Sequence, residues 1–100
     1  MNMQQMMAQA QKMQRELKKA QAELAQKEFV VSKGGAVTVT VLGSKEIKSI
    51  NIEADAFDAD NKEMVEEMIV MAINEANEKI DAEAEAINER ITGQRGGFGF

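Results

Sequence analysis

Four cations, Lys12, Arg15, Lys18 and Lys19, share the outer face of the first predicted helix, with no acid among them. A stripe of one sign over about two turns suits phosphate, because Lys and Arg meet its oxygens through charge and hydrogen bonds together. Glu16 and Glu23 lie at the side and soften the potential. The residues alone leave this face open between a solvated surface and a phosphate contact. Lys33, Lys45 and Lys48, at or near the strand connections, are candidates to extend the patch. Arg95-Gly96-Gly97 with Phe98 and Phe100 resembles a single Arg-Gly-Gly element that could touch nucleic acid. One copy is a weak signal, and a tail is the simpler reading.

Catalysis finds little here. The chain has no His, Cys or Tyr, so the commonest general base, the thiol nucleophile and the phenol are all missing. The carboxylate pairs Asp58/Asp60 and Glu66/Glu67 have no visible desolvating pocket, so they read as a solvated helix start and a solvated helix face. Asp58-x-Asp60 lacks the central Gly of a calcium loop, and Lys62 stands where an oxygen ligand would be needed. Gly34-Gly35 is followed by no Gly-Lys-Ser/Thr and reads as a hairpin turn, not a phosphate loop. We expect no enzyme activity, cofactor, metal or small-molecule substrate.

These residues must be held by a small framework. Met3, Met6, Ala10, Met13, Leu17, Ala20 and Leu24 recur at alternating steps of three and four, a heptad seam opposite the cations. The stretch from Asn2 to Lys27 holds no Gly, Pro or β-branched residue and predicts a helix about 37 Å long. Part of it must project or lie along a second subunit. The apolar period then changes to two. Glu28–Ser32, Ala36–Leu42 and Ile47–Glu53 read as strands joined by Lys33-Gly34-Gly35 and Gly43-Ser44-Lys45-Glu46, a three-stranded antiparallel meander. In the third strand Ile47 and Ser49 oppose Lys48, Ile50 and Ile52, so it either buries something on both faces or carries a bulge. Asp60 followed by Glu63 has capping-box spacing and predicts a second helix from near Asn61. That helix would run to Thr92 and stop at Gly93, with a break at Asn77–Asp81 left open. The fold class is α+β, with residues 1–93 as a single domain and 94–100 as a flexible Gly-rich tail.

Composition sets the outer bounds. Of the 100 residues 44% are apolar, enough for a core, but much of that is Met and Ala, with no Trp or Tyr. Small chains with thin cores often fold by oligomerising. Residues 1–50 carry eight Lys or Arg against four acids, and residues 51–100 four against thirteen, so the net charge of -5 hides a cationic first half. No apolar run approaches the roughly 20 residues of a membrane span, and no Cys implies a disulfide framework. We expect a cytoplasmic protein with no membrane partner.

The order of elements resembles the YbaB/EbfC family of bacterial nucleoid-associated proteins over about Met3 to Gly93. The likeness rests on Ala10-Gln11-Lys12-Met13-Gln14 and Ala20-Gln21-x-Glu23-Leu24 in the first helix. It continues through Gly34-Gly35-x-Val37-x-Val39, Gly43 and Ile47-Lys48-Ser49-Ile50-x-Ile52. It ends with Ile69-x-x-Ala72-x-Asn74-x-Ala76-x-x-Lys79 and Thr92-Gly93. The resemblance implies an α-β-β-β-α protomer, a tight homodimer through its sheets, and long helices projecting as arms. It also implies binding of double-stranded DNA with little sequence preference, and a place on the nucleoid in its organisation or in expression control. The family's DNA-contacting arms fall here on Lys12, Arg15, Lys18 and Lys19. The chain departs from the family in having Ala54-Asp55-Ala56 where a Pro is frequent, and a tail ending in Gly and Phe. We expect a dimer burying Val37, Val39, Val41, Ile50 and Ile52. The alternative is a dimeric helical adaptor, a protein–protein interaction module without direct DNA binding.

Overall fold

The second helix sets the plan of the molecule, because one continuous apolar stripe covers a sheet with its first two-thirds and a helix with its last third. In the computed structural model, which describes residues 2–93, the order is α1 (Met3–Gln26), β1 (Glu28–Lys33), β2 (Val37–Leu42) and β3 (Ile47–Ile52). Two short 3-10 turns (Ala54–Ala56 and Ala59–Asn61) follow, then α2 (Lys62–Thr92). The strands form the expected antiparallel meander in the order β1-β2-β3. The tail 94–100, and with it Arg95, lies outside the described residues.

Alternation along the strands builds the core. Phe29, Val31, Val37, Val39 and Val41 point to one face, where Val65, Ala72, Ala76 and Ile80 of α2 close over them. Gly34 and Gly35 both take positive φ (59° and 64°), and the Ala36 amide donates to the Lys33 carbonyl at 3.0 Å. That is the tight hairpin whose two central residues must sit in the left-handed region. In β3 the bulge is the observed alternative. Thr40 faces Ser49 while Val41 faces Ile47, which leaves Lys48 as the extra residue.

The structure bears on three further readings. Val37, Val39 and Val41 are only 1, 0 and 0% exposed within one chain, where α2 packs over them. Ile50 remains 44% exposed and Ile52 is half-buried, because α2 does not reach the outer edge of β3. α2 runs unbroken through Asn77–Asp81, held by buried Ala76 and Ile80 and by the Lys79–Glu75 pair at 3.6 Å. Asp60 forms no capping box. The 3-10 turns take up that stretch, Asp58 Oδ1 accepts from the Asp60 amide at 2.8 Å, and the α2 cap residue Asn61 makes no side-chain cap bond. At the other end Gly93 (φ 73°) stops the helix as expected, its amide donating to Glu89 O at 2.8 Å.

α1 begins with a reciprocal cap: Asn2 Oδ1 accepts from the Gln5 amide at 2.8 Å, and Gln5 Oε1 accepts from the Asn2 amide at 3.2 Å. Its far end is clasped by the β2–β3 turn. The amides of Gly43 and Ser44 donate to the carbonyls of Lys27 (2.9 Å) and Ala25 (3.2 Å), which satisfies acceptors that a helix end would leave open. Leu17, Ala20 and Leu24 then pack on the core that includes Ile87 and Ile91 of α2, with the two helices antiparallel. Toward its N-terminus α1 outruns α2, and the molecule measures 69 × 24 × 15 Å with a radius of gyration of 19.0 Å. A compact chain of this length would have about 13 Å.

A Cβ on Gly43 would fall 1.8 Å from the Leu24 carbonyl oxygen, whereas one on Gly35 would meet nothing within 4 Å. Gly43→Ala should therefore cost about 2 kcal/mol or more, by pushing α1 off the hairpin. Gly35→Ala should cost only the left-handed backbone penalty, about 1 kcal/mol. Urea denaturation of the two variants side by side tests the order.

Candidate nucleic-acid interface

Lys12, Arg15, Lys18 and Lys19 are positioned by helical geometry alone. At 100° per residue they fall on the side of α1 opposite Leu17, Ala20 and Leu24, the side chains that dock on the core. All four are exposed. None has a carboxylate within salt-bridge distance among the described residues.

The remaining lysines are treated differently. Lys27 pairs with Glu83 (2.6 Å), Lys33 with Glu75 (2.6 Å), Lys45 with Asp81 (2.8 Å), and Lys48 reaches across β2 to Glu28. Lys62 and Lys79 pair along α2 with Glu66 (3.7 Å) and Glu75 (3.6 Å). Three of these pairs join a strand, a turn or the end of α1 to the acidic flank of α2, so Glu75, Asp81 and Glu83 serve lysines of the first half. Lys33, Lys45 and Lys48, candidates to extend the patch, are thus spread over the sheet and each neutralised within the chain. The structure does not gather them with the α1 cations.

Arg90 was missed by the sequence reading. It sits in the last turn of α2, where it lines a groove with Lys19, Ala20, Glu16, Glu23 and Ile91. It is the one described cation outside α1 with no carboxylate within salt-bridge distance. A basic residue in a last helical turn is commonplace, and nothing local reveals that α2 ends beside the middle of α1. Acid placement also bears on the interface. Asp55, Asp58, Asp60, Glu63, Glu66 and Glu67 belong to the end where Met68 meets Gly34, opposite the end from which α1 projects.

A second feature lies at that opposite end. A cleft of about 390 Å³ opens between β3 and α2, lined mainly by Ile52, Ala56, Phe57, Ala59, Val65 and Ile69. Phe57 stands largely exposed at its rim, and Ile50 of β3 and Val70 of α2 are exposed as well. Among the described residues no cluster of acids is arranged to hold a metal ion, and no helix is long and apolar enough to cross a membrane.

Comparison with known proteins gives the family and the fold. The model of the YbaB/EbfC DNA-binding family matches residues 1–95. The chain belongs to that family. It is 49% identical over 94 residues to a nucleoid-associated protein of Clostridium novyi, covering 93% of this chain and 82% of the relative. Over 98 residues it is 44% identical to a nucleoid-associated protein of Ruminiclostridium cellulolyticum, covering 97% and 85%. Among solved structures, an uncharacterised protein from Helicobacter pylori superposes with a TM-score of 0.76 at 18% identity, covering 93% of this chain and 99% of its own. That likeness establishes the fold. As a YbaB/EbfC protein the chain is placed by a DNA-binding family and by no catalytic motif.

The hydrogen bond from Lys33, with its charge and that of Lys79, holds the Glu75 carboxyl below the usual carboxylate range, against a smaller opposing push from burial. A depressed folded pKa contributes stability above the ordinary glutamate range and loses it as pH falls through the folded value. Glu75→Gln should therefore be less stable than the unmodified chain near neutral pH, and the gap should close at a pH below the folded-state value of Glu75, where its carboxyl is protonated in the folded and unfolded chain alike. Urea midpoints at the two pH values measure it.

Proposed function

We propose that this protein is a nucleoid-associated protein of the cytoplasm that binds duplex DNA as a homodimer with little base preference. The contacts are electrostatic. Lys12, Arg15, Lys18 and Lys19 of each chain meet backbone phosphates, which gives affinity without reading bases. The observation that carries this reading is the isolation of those four cations on a projecting helix, in a chain where every other described lysine has a carboxylate partner. A cation already paired must give up its partner to bind phosphate, so Lys33, Lys45 and Lys48 contribute little. Arg90, beside Lys19, adds to the patch.

Self-association uses the side of the molecule that α2 leaves open. Phe57 at the rim of the β3–α2 cleft, exposed Ile50 on the edge strand β3 and exposed Val70 on α2 offer apolar surface that a second copy can cover while both α1 helices stay free. We place the second copy there and not on the valines of β2, which α2 covers within the chain. The printed names of the relatives, nucleoid-associated proteins, support the cellular setting.

Equilibrium binding to a random duplex across a salt series tests the function. We expect a log–log slope of about -4 to -6, the release expected when roughly five to seven phosphates are neutralised. Lys18→Glu with Lys19→Glu should abolish binding. Neutralising Lys33, Lys45 and Lys48 together to Gln should change affinity by less than about threefold, since paired surface charges carry little net potential. No binding at low salt would overturn the DNA reading and leave a dimeric helical adaptor.

A further inference from the structure

The heptad seam of α1 is longer than its partner. Leu24 is 8% exposed and Leu17 and Ala20 are half-buried against the core, but the same seam continues outward to Met6 at 57% and Met3 at 76%. α2 stops at Gly93, and the residues from Met3 to Met13 extend about 16 Å of helix whose apolar side is largely bare. Its chemistry also differs from the rest of α1. Between Asn2 and Gln14 the only charged residue is Lys12, and the remainder is Met, Gln, Ala and Asn.

We propose that this tip pairs antiparallel with the tip of a second copy, and that the pairing joins two DNA-bound dimers into a bridge. In an antiparallel helix pair the first core position of one heptad faces the second core position of its partner. Met3 then faces Met13, and Met6 faces Ala10, so four core layers form and each Ala lies opposite a large, adaptable Met. Charge permits the overlap. In this register the two Lys12 side chains are offset by about 12 Å along the axis, beyond the ~8 Å screening length at physiological salt. Antiparallel overlap also lets the two bodies lie at opposite ends, where parallel overlap would crowd them. The cationic face looks away from the seam and stays open to phosphate. Four layers bury less than the roughly 1,200 Å² of a standing interface, so the contact is weak in free solution and gains from the high local concentration on DNA.

The bridging half of this inference rests on the proposed DNA binding; the tip contact does not. The chain has no Cys, so single cysteines report cleanly. Full-length Met6→Cys and Ala10→Cys chains, mixed without DNA at high concentration and oxidised, should cross-link mainly to each other. Cross-linking of each variant mainly to itself, or no cross-link, would overturn the pairing. In parallel, a tethered random-sequence duplex should retain a second, labelled duplex through the unmodified protein. Met3→Gln, Met6→Gln and Met13→Gln combined keep helix propensity and charge. They should cut that retention about tenfold while changing affinity for one duplex less than twofold. Full retention by the triple variant would overturn the bridge. Failure of the unmodified chain to bind any duplex would instead sink the DNA reading and the bridge with it, and the cross-link alone would judge the tip contact.

Discussion

Everything in this molecule hangs on how closely α2 lies against the sheet. Ala72 and Ala76, both fully buried, have side chains small enough to let the helix axis approach the valines of β2. Had these positions been large, the sheet would stand off and its apolar face would need another cover. Because the helix lies close and runs straight on, its last turns pass beyond the sheet edge and meet Leu17, Ala20 and Leu24 of α1. One rigid element therefore does two jobs. It completes a core that a hundred-residue chain with no Trp or Tyr would struggle to fill, and it sets the direction in which α1 leaves the body.

The β2–β3 turn secures that direction from the other side. Gly43 approaches the Leu24 backbone too closely for any side chain, and two turn amides bond the last carbonyls of α1. A helix held by both its end and its seam over the last two turns can carry an unsupported first half, since its own backbone hydrogen bonds and the Asn2–Gln5 cap keep that half ordered. The projection is thus built into the fold.

Charge follows the same division. The body of the protein is a lattice of short ion pairs between the lysines of the first half and the acids of α2, each worth little on the surface but together leaving few free cations there. On α1 only Glu16 and Glu23 flank the stripe and soften it, and no carboxylate among the described residues pairs directly with its four cations. An overall acidic protein can in this way present a cationic arm, and the burden of the acids falls largely on the body and the far end.

How much of this was legible beforehand depends on the range of the forces involved. The change of period at Glu28, the Gly34-Gly35 hairpin, the stop at Gly93 and the uniform stripe from Lys12 to Lys19 are local properties, fixed by residues within a turn or two of each other, and the sequence determined them. The two 3-10 turns before α2 were not legible, because the spacing of Asp60 and Glu63 favoured a direct helix start and only the path of the chain off β3 made Asp58 the cap. Nor was the fate of the valines of β2. Alternation shows that a strand buries one face, but not whether α2 of the same chain or a second chain covers it. Lys62 and Lys79 find acids one turn away along α2, but the sorting of the lysines of the first half was decided by tertiary structure. Lys33 and Lys18 look alike in sequence, and what separates them is that folding brings Glu75 to one and no acid to the other, 42 residues away along the chain. Helical faces are written in the sequence by a short period, whereas partners across the fold are set only when the chain closes on itself.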